Sequence, residues 1–267
     1  MILPKINANF ILLVGERGVG KKYTLRESYK DAQFNVYWAP DISVDTIRTI
    51  IREAYKRHNT VFIIADADNM SITAKNALLK VVEECPNGNS FILTLQDENN
   101  TLPTIRSRAT ILRMQNPTQD ELFQYFWEKH EDKGPNDAEY ACRICSTYGE
   151  VDIVEKFGAM DFYDYVEKVI DYIDQTSTAN ALKIANEIAF KDEEDKYDLI
   201  LFWKTFVYIC IIKAHDAKDL VLKNKYSQWT YLTSRHLVYL RTTGVNKRAL
   251  FETWIIKIRN CDASSGN

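Results

Sequence analysis

The sequence predicts an α/β domain built on a parallel five-stranded sheet, followed by helices alone. Two observations carry this reading. Over residues 1–113, short runs rich in Val, Ile and Phe alternate with helical patterns, as parallel strands joined by crossover helices do. Beyond Pro117 no convincing strand pattern recurs, and the apolar residues keep helical spacing.

The expected strands are Phe10–Val14, Phe34–Trp38, Val61–Ala65, Phe91–Leu95 and Thr110–Arg113. Between them, Val44, Ile47, Ile50, Ile51 and Ala54 space out as one helix, and Ala74, Ala77, Leu78, Val81 and Val82 as another. Thr118-x-x-Glu121 forms a capping box, from which Leu122, Tyr125, Phe126 and Lys129 continue a helix. Gly134-Pro135 breaks that helix, Tyr148-Gly149 ends a second, and Lys156 to Met160 close a third short segment. A small helical domain is therefore expected at 114–160. The stretch 161–260, with Gly244 its one glycine and no proline, reads as a bundle of four or five helices, and 261–267 as a frayed tail.

Composition narrows the function classes. At 267 residues and 46% hydrophobic, the chain can bury a substantial core and is expected to be soluble. The apolar start, Phe10 to Gly15, belongs to the first strand and its loop, so no secretory signal is expected. Leu199 to Ala214, the longest apolar stretch, is interrupted by Lys204 and falls short of the ~20 residues of a membrane span; a buried helix is expected there. Five cysteines, an odd number, suit a reducing cytoplasm better than a disulfide framework. Cys142 and Cys145 form a C-x-x-C, but no second pair lies near enough to complete a zinc site, and two small side chains on one helix face is the ordinary reading.

The net charge of -3 conceals a division along the chain. Residues 1–115 carry 15 basic and 12 acidic side chains, 116–200 carry 8 and 21, and 201–260 carry 11 and 3. The acidic middle disfavours contact with nucleic acid there, since phosphate binding depends on Lys and Arg. The basic last third suits either DNA or an acidic partner, although solvated helix faces are the commoner cause of such charge.

The chemistry concentrates at "GERGVGKK", residues 15–22, after the first strand and before a helical stretch. Gly15, Gly20 and Lys21 match the G-x-x-x-x-G-K-[S/T] phosphate loop, with Gly18 inside it, and backbone N–H groups of such a loop surround a phosphate with partial positive charge. Lys21 would reach the β- and γ-phosphates. Lys22, however, fills the slot of the hydroxyl that ligates Mg²⁺, and adds positive charge where the ion should sit. In "VFIIADADNM" Ala65 stands where the first metal-organising acid belongs. Asp66 is one residue along, and strand alternation should turn it to the wrong face. Two departures in one metal site argue against hydrolysis.

The segments "VDTIRTIIREA" (44–54), "VFIIADADNMSITAKNALLKVVEECP" (61–86) and "SFILTLQDENNTLPTIRSRAT" (90–110), in that order after the phosphate loop, resemble the AAA+ clamp loader subunits, most closely the bacterial delta-prime branch. The resemblance covers roughly residues 10–115, and beyond it rests on a similar plan of a helical lid and a helical collar. It implies an AAA+ P-loop domain at 1–113, a lid at 114–160 and an oligomerising collar at 161–260. It assigns Ser107 and Arg108 to the family's Ser-Arg-Cys motif, with Ala109 in place of the cysteine. The arginine is then a finger presented to ATP on a neighbouring subunit, a contribution of about 10³ to 10⁵ in rate where it operates. The ordinary alternative is that Arg106 and Arg108 pair with surface acids.

The resemblance also matches Thr94 to the polar residue that senses the γ-phosphate, and "STYGEVDIVEKF" (146–157) to the lid helix that carries a second sensor arginine, where Asp152 stands instead. The four-cysteine zinc module of many relatives has no counterpart in residues 23–37, and the chain starts almost at its first strand, which together imply a divergent, streamlined member. A nonhydrolysing clamp loader subunit is thus the expectation: no cofactor required, at most weak ATP or ADP binding, and a cytoplasmic location. Its implied partners are other AAA+ subunits of a hetero-oligomer, a sliding clamp and primer-template DNA, with no membrane. Two alternatives stay open: an active AAA+ ATPase in which Asp66 replaces the missing acid, and a stand-alone interaction module. The basic residues Lys223, Lys225, Arg235, Arg241, Lys247 and Arg248 are candidate collar contacts by charge alone.

Overall fold

The five apolar runs form one parallel sheet, and the turns between them carry the candidate site. A computed structural model describes residues 8–30, 35–130, 133–193, 199–240 and 245–264, so Phe34, Arg241 and Gly244 lie outside the described residues. In chain order the first part comprises β1 (Phe10–Val14), α1 (Lys21–Ser28), β2 (Asn35–Trp38), α2 (Val44–Ala54), β3 (Thr60–Ile64), α3 (Ile72–Glu84), β4 (Ser90–Leu95), α4 (Pro103–Arg106) and β5 (Thr110–Arg113). The strands lie in the order β2-β3-β4-β1-β5, every pairing parallel, which is the expected α/β class. β3 stops at Ile64, one residue before the expected end, which leaves Ala65 and Asp66 in the following turn.

Alternation sorts the strand residues onto two buried faces. Phe10, Leu12, Phe62, Ile64, Phe91 and Leu93 pack on one face against Ile47 and Ile50 of α2 and Leu78 and Val81 of α3. Ile11, Leu13, Val61, Ile63 and Ile92 face the other way, onto Leu25 of α1. Strands buried on both sides explain the near-continuous apolar runs. Ser43 and Ser71 cap α2 and α3 by accepting the N–H groups of Thr46 and Ala74, which satisfies donors the helices cannot use internally.

The remaining helices are α5 (Gln119–Lys129), α6 (Pro135–Ile144), α7 (Tyr148–Phe157), α8 (Ala159–Gln175), α9 (Thr178–Glu193), α10 (Leu199–Asp216), α11 (Leu220–Leu240) and α12 (Lys247–Ser264). Two compact units result: residues 1–118 with 147–149, and residues 119–146 with 150–267. Three helix ends differ from expectation. Tyr148-Gly149, expected to end a helix, opens α7 instead, because α6 has already stopped at Ile144 and Cys145 turns extended. Gly158, at φ 81°, is the break before α8, so Met160 lies inside that helix instead of closing the previous segment. At the other end α12 continues to Ser264, into the stretch read as tail.

The second unit is organised around aromatic side chains. Trp203, Phe206, Trp229, Phe251 and Trp254 are fully buried; Trp203 stacks on Phe251 at 4.5 Å, and Trp254 Nε1 donates to Thr233 Oγ1 at 2.9 Å. The lysine that interrupts the long apolar run is accounted for: Lys204 Nζ contacts Glu150 at 2.5 Å and donates to Ser146 Oγ at 2.8 Å. Among the described residues no helix is long and apolar enough to cross a membrane.

Two predictions follow from buried polar groups. Asn89, fully buried at the start of β4, donates to the carbonyls of Ala54 (2.7 Å) and Arg57 (3.1 Å) and accepts the Thr60 N–H at 2.9 Å. Asn89→Ala strands those groups and is expected to cost about 2–3 kcal/mol in denaturant unfolding; no loss of stability would show the clasp to be unimportant. His236 is 3% exposed, and burial pushes its pKa below the usual 6.5, with Lys257 and Arg235 adding to the effect. The unfolded chain then binds the proton more readily, so the midpoint should fall as pH drops through 6.5. His236→Gln should flatten that slope; an unchanged slope refutes the assignment.

Candidate functional site

The loop after β1 is held at both ends by backbone. The Gly15 N–H donates to the Leu95 carbonyl at 3.1 Å, and Gly20 precedes α1 without any side-chain cap. The N-terminal N–H groups of α1 therefore face the loop with their partial positive charge available to an anion. Gly18 sits at φ 84°, and a Cβ there would lie 2.7 Å from Thr147 Oγ1 and 3.0 Å from the Gly149 Cα. The approach is reciprocal: the Gly149 N–H donates to the Gly18 carbonyl at 3.0 Å. Thr147, fully buried, completes this packing. Sequence reasoning used Tyr148-Gly149 only as a helix end and missed this contact; two glycines at distant positions carry no local signal of meeting.

Lys21 curls back over the loop. Its side chain is only 7% exposed, and Nζ donates to the carbonyls of Gly15 (2.5 Å) and Glu16 (2.9 Å). Burial lowers its pKa, the Asp66 and Asp68 carboxylates oppose that shift, and the Lys22 ammonium adds to it. The arrangement fits a phosphate: a bound anion would supply the negative charge that a buried ammonium lacks.

Asp66 corrects the expectation that it points away. Because β3 has already ended, strand alternation no longer governs it, and its left-handed backbone (φ 56°, ψ 40°) turns the carboxylate to the loop. There Asp66 Oδ2 meets Lys22 Nζ at 2.7 Å, both side chains half-exposed. The turn is braced by Thr94, fully buried, whose Oγ1 accepts the Asp66 N–H at 2.9 Å. The second acid, Asp68, accepts the N–H groups of Gln96 (2.8 Å) and Asp97 (3.2 Å) and the side-chain amide of Asn100 (3.3 Å). Lys75, a buried cation absent from the sequence-based candidates, ties this turn down by donating to the carbonyls of Asp68 (3.1 Å) and Asn100 (2.5 Å).

These residues do not fit a divalent cation. The hydroxyl ligand is replaced by an ammonium, the nearest carboxylate is ion-paired to that ammonium, and the next is engaged by amide donors. Among the described residues no group of three or more His, Cys, Asp or Glu side chains is placed to hold a metal. Cys142 and Cys145 are buried, and burial pushes both thiols up, Cys142 to about 11, which makes them poor thiolate donors.

Arg108 stands elsewhere. It precedes β5, whose Thr110 pairs with Ile11 near the start of β1, whereas the loop follows Val14, the partner of Arg113. Four residues of parallel strand rise about 13 Å, so arginine and loop occupy opposite ends of the sheet. Its Nε lies 3.2 Å from Glu83 Oε2 and its Nη1 donates to the Thr104 carbonyl at 2.9 Å, which leaves the guanidinium partly exposed. Ser107 Oγ donates to the same carbonyl at 3.2 Å, and Arg106 Nη1 donates to Asn99 Oδ1 at 2.9 Å. Pairing with a surface acid thus holds for Arg108, through Glu83.

In the second unit, Asp152 accepts from Tyr125 Oη at 2.9 Å and pairs with Lys129 Nζ at 3.0 Å. Of the basic collar candidates, Lys225 is held by Asp174, Arg248 pairs with Glu252 at 3.1 Å, and Arg235 donates to Tyr231 Oη at 3.2 Å.

Residues 22–118 match the family described as DNA polymerase III, delta subunit. The chain is 24% identical over 190 residues to DNA polymerase III subunit delta' of Buchnera aphidicola from Baizongia pistaciae, covering 68% of this chain and 54% of that protein. It is 27% identical to DNA polymerase III subunit gamma of Buchnera aphidicola from Schizaphis graminum, covering 54% and 40%, and 28% identical to mouse replication factor C subunit 5, covering 39% and 35%. A crystal structure of a DNA polymerase III gamma subunit-related protein from Thermotoga maritima superposes with a TM-score of 0.49 at 16% identity, covering 95% of each chain. The chain spans about half the length, or less, of the curated relatives it matches. It resembles an AAA+ clamp loader subunit of the delta-prime kind.

The loop contact is testable. A Cβ at Gly149 would lie 2.7 Å from the Gly18 Cα, backbone that cannot swing aside. Gly149→Ala should cost about 1–3 kcal/mol and raise hydrogen exchange at Gly18 and Val19. Unchanged exchange there would dismiss the contact.

Proposed function

We propose that this chain is a nonhydrolysing subunit of a clamp loader in DNA replication, supplying Arg108 to the nucleotide site of a neighbouring AAA+ ATPase subunit. The position of Arg108 supports the reading: a guanidinium at the end of the sheet remote from its own phosphate loop is out of reach of that loop, so any nucleotide it serves belongs to another chain. Its Nε and Nη1 are occupied by Glu83 and Thr104, which orients the planar group. Presented to a γ-phosphate, a planar guanidinium stabilises the charge that develops on the equatorial oxygens.

The chain's own loop lacks the means to organise Mg²⁺ and an attacking water, which supports its not hydrolysing ATP. Thr94, matched to a γ-phosphate sensor, has its hydroxyl engaged by the Asp66 N–H. The loop nevertheless keeps a phosphate cradle, so weak ATP or ADP binding belongs to the proposal, with no nucleotide required for folding. In the same reading residues 114–160 are the lid and 161–260 the collar through which the cytoplasmic hetero-oligomer assembles. The assembly opens a sliding clamp and places it on primer-template DNA, which this chain meets through backbone phosphates. The alternative, an active ATPase, gains one observation in the approach of Asp66 to the loop, but that carboxylate meets Lys22.

ATP turnover by the chain alone, and then by the assembly with the AAA+ subunit that co-purifies with it, tests the proposal. The chain alone should be inactive, and Arg108→Ala should lower the assembly's DNA-stimulated rate at least tenfold, toward the ~10³-fold of a lost finger, while leaving the partly exposed site stable to about 0.5 kcal/mol. Turnover by the chain alone that Lys21→Ala abolishes would instead make it an ATPase. An assembly rate indifferent to Arg108→Ala removes the finger.

A further inference from the structure

We propose that the Lys22 ammonium stands in for the divalent cation of this phosphate loop, so that the loop takes the phosphates of a nucleoside diphosphate or triphosphate without metal. The inference rests on the reading above that the loop keeps its affinity for phosphate.

In a magnesium-dependent loop, the hydroxyl after the lysine and an acid from the neighbouring strand hold the ion that neutralises the phosphate oxygens. Here the side chain in the hydroxyl position is itself a cation, and the acid has come to it: Lys22 Nζ and Asp66 Oδ2 are 2.7 Å apart. No ion fits between them at that distance. The Asp66 turn is fixed through its N–H on Thr94, and Asp68 is committed to the amides of Gln96, Asp97 and Asn100. A magnesium ion would have to displace an ammonium from its carboxylate and then sit beside that like charge.

The same geometry suits a metal-free polyphosphate. Lys22 is half-exposed on a flexible four-carbon stem, so its ammonium can turn from Asp66 to a phosphate oxygen without backbone movement. Lys21 and Lys22 present two cationic side chains to one loop, and burial, with the Lys22 ammonium adding to it, disfavours the charge of Lys21 in the absence of an anion. Asp66 holds Lys22 near the loop meanwhile.

Calorimetric titration of ADP into the purified chain, once in EDTA and once in millimolar MgCl₂, tests this. Wild type is expected to bind ADP with dissociation constants that agree within about twofold in the two buffers. Lys22→Met should weaken binding about tenfold in both. Lys22→Thr, which restores the hydroxyl beside Asp66, should weaken it in EDTA and let Mg²⁺ recover it by about tenfold. Circular dichroism checks that both variants at this half-exposed site remain folded.

Tightening of wild-type binding by Mg²⁺, an absence of ADP binding in either buffer, or Mg²⁺-insensitive binding by Lys22→Thr would each overturn the proposal. None of these readouts depends on turnover. A chain that hydrolyses ATP yet binds ADP without regard to Mg²⁺ would refute the nonhydrolysing reading and leave this one standing.

Discussion

The pairing of β1 between β4 and β5 is the constraint on which the first unit depends. β1 is fully buried, with Ile11 and Leu13 on one face and Phe10 and Leu12 on the other, so its register admits no one-residue slip without exposing a whole apolar set. That register places Gly15 beside Leu95 and Thr94 beside Leu13, and so brings the phosphate loop, the hydroxyl of Thr94 and the turn at Asp66 to one end of the sheet. By the same pairing, β5 starts opposite Ile11 and leaves Arg108 at the other end. One hydrophobic decision thus separates the cationic loop from the exposed guanidinium.

Electrostatics at the loop end then follow from what burial allows. Lys21 is enclosed and satisfied by loop carbonyls, a position that favours an incoming anion. Lys22 keeps solvent access and a carboxylate partner, as an exposed ion pair of modest strength does, and can exchange that partner readily. Asp68 is fixed by amide donors and has little left to offer a metal. The difference between two adjacent lysines is therefore one of depth: the first is enclosed by the loop, the second stands at its surface.

The match of residues 22–118 to the delta-subunit family takes in β2 to β5 and the helices between them, of which β3 and β4 are buried on both faces. The core of the helical unit depends on large aromatic side chains, Trp203, Trp229 and Trp254 among them, spread over several helices. Two lysines charge its longest apolar helix: Lys204 is tied to Glu150 and Ser146, and Lys213 pairs with Asp171.

The strands, their parallel arrangement and the loop between β1 and α1 were legible in the sequence, because two-sided burial writes continuous apolar runs and the loop needs glycine at fixed intervals, whereas the order β2-β3-β4-β1-β5 was not. Strand and helix ends were legible only to within a few residues, since where an element stops depends on the turn that follows it: β3 ends at Ile64 instead of Ala65, although its partner β4 runs on to Leu95. That one residue mattered. Alternation predicts that Asp66 faces away from the loop, while the left-handed turn after the strand brings it to Lys22. The Gly18 to Gly149 approach, the clasp of Lys75 on the Asp68 turn and the Glu83 partner of Arg108 likewise join distant stretches of chain. By itself the sequence determined which residues could form a sheet, a phosphate loop and a helical bundle, because periodicity and backbone conformation are local properties. Only the tertiary structure decided which charges meet, because an ion pair depends on where chain segments end and turn, and no local pattern records that.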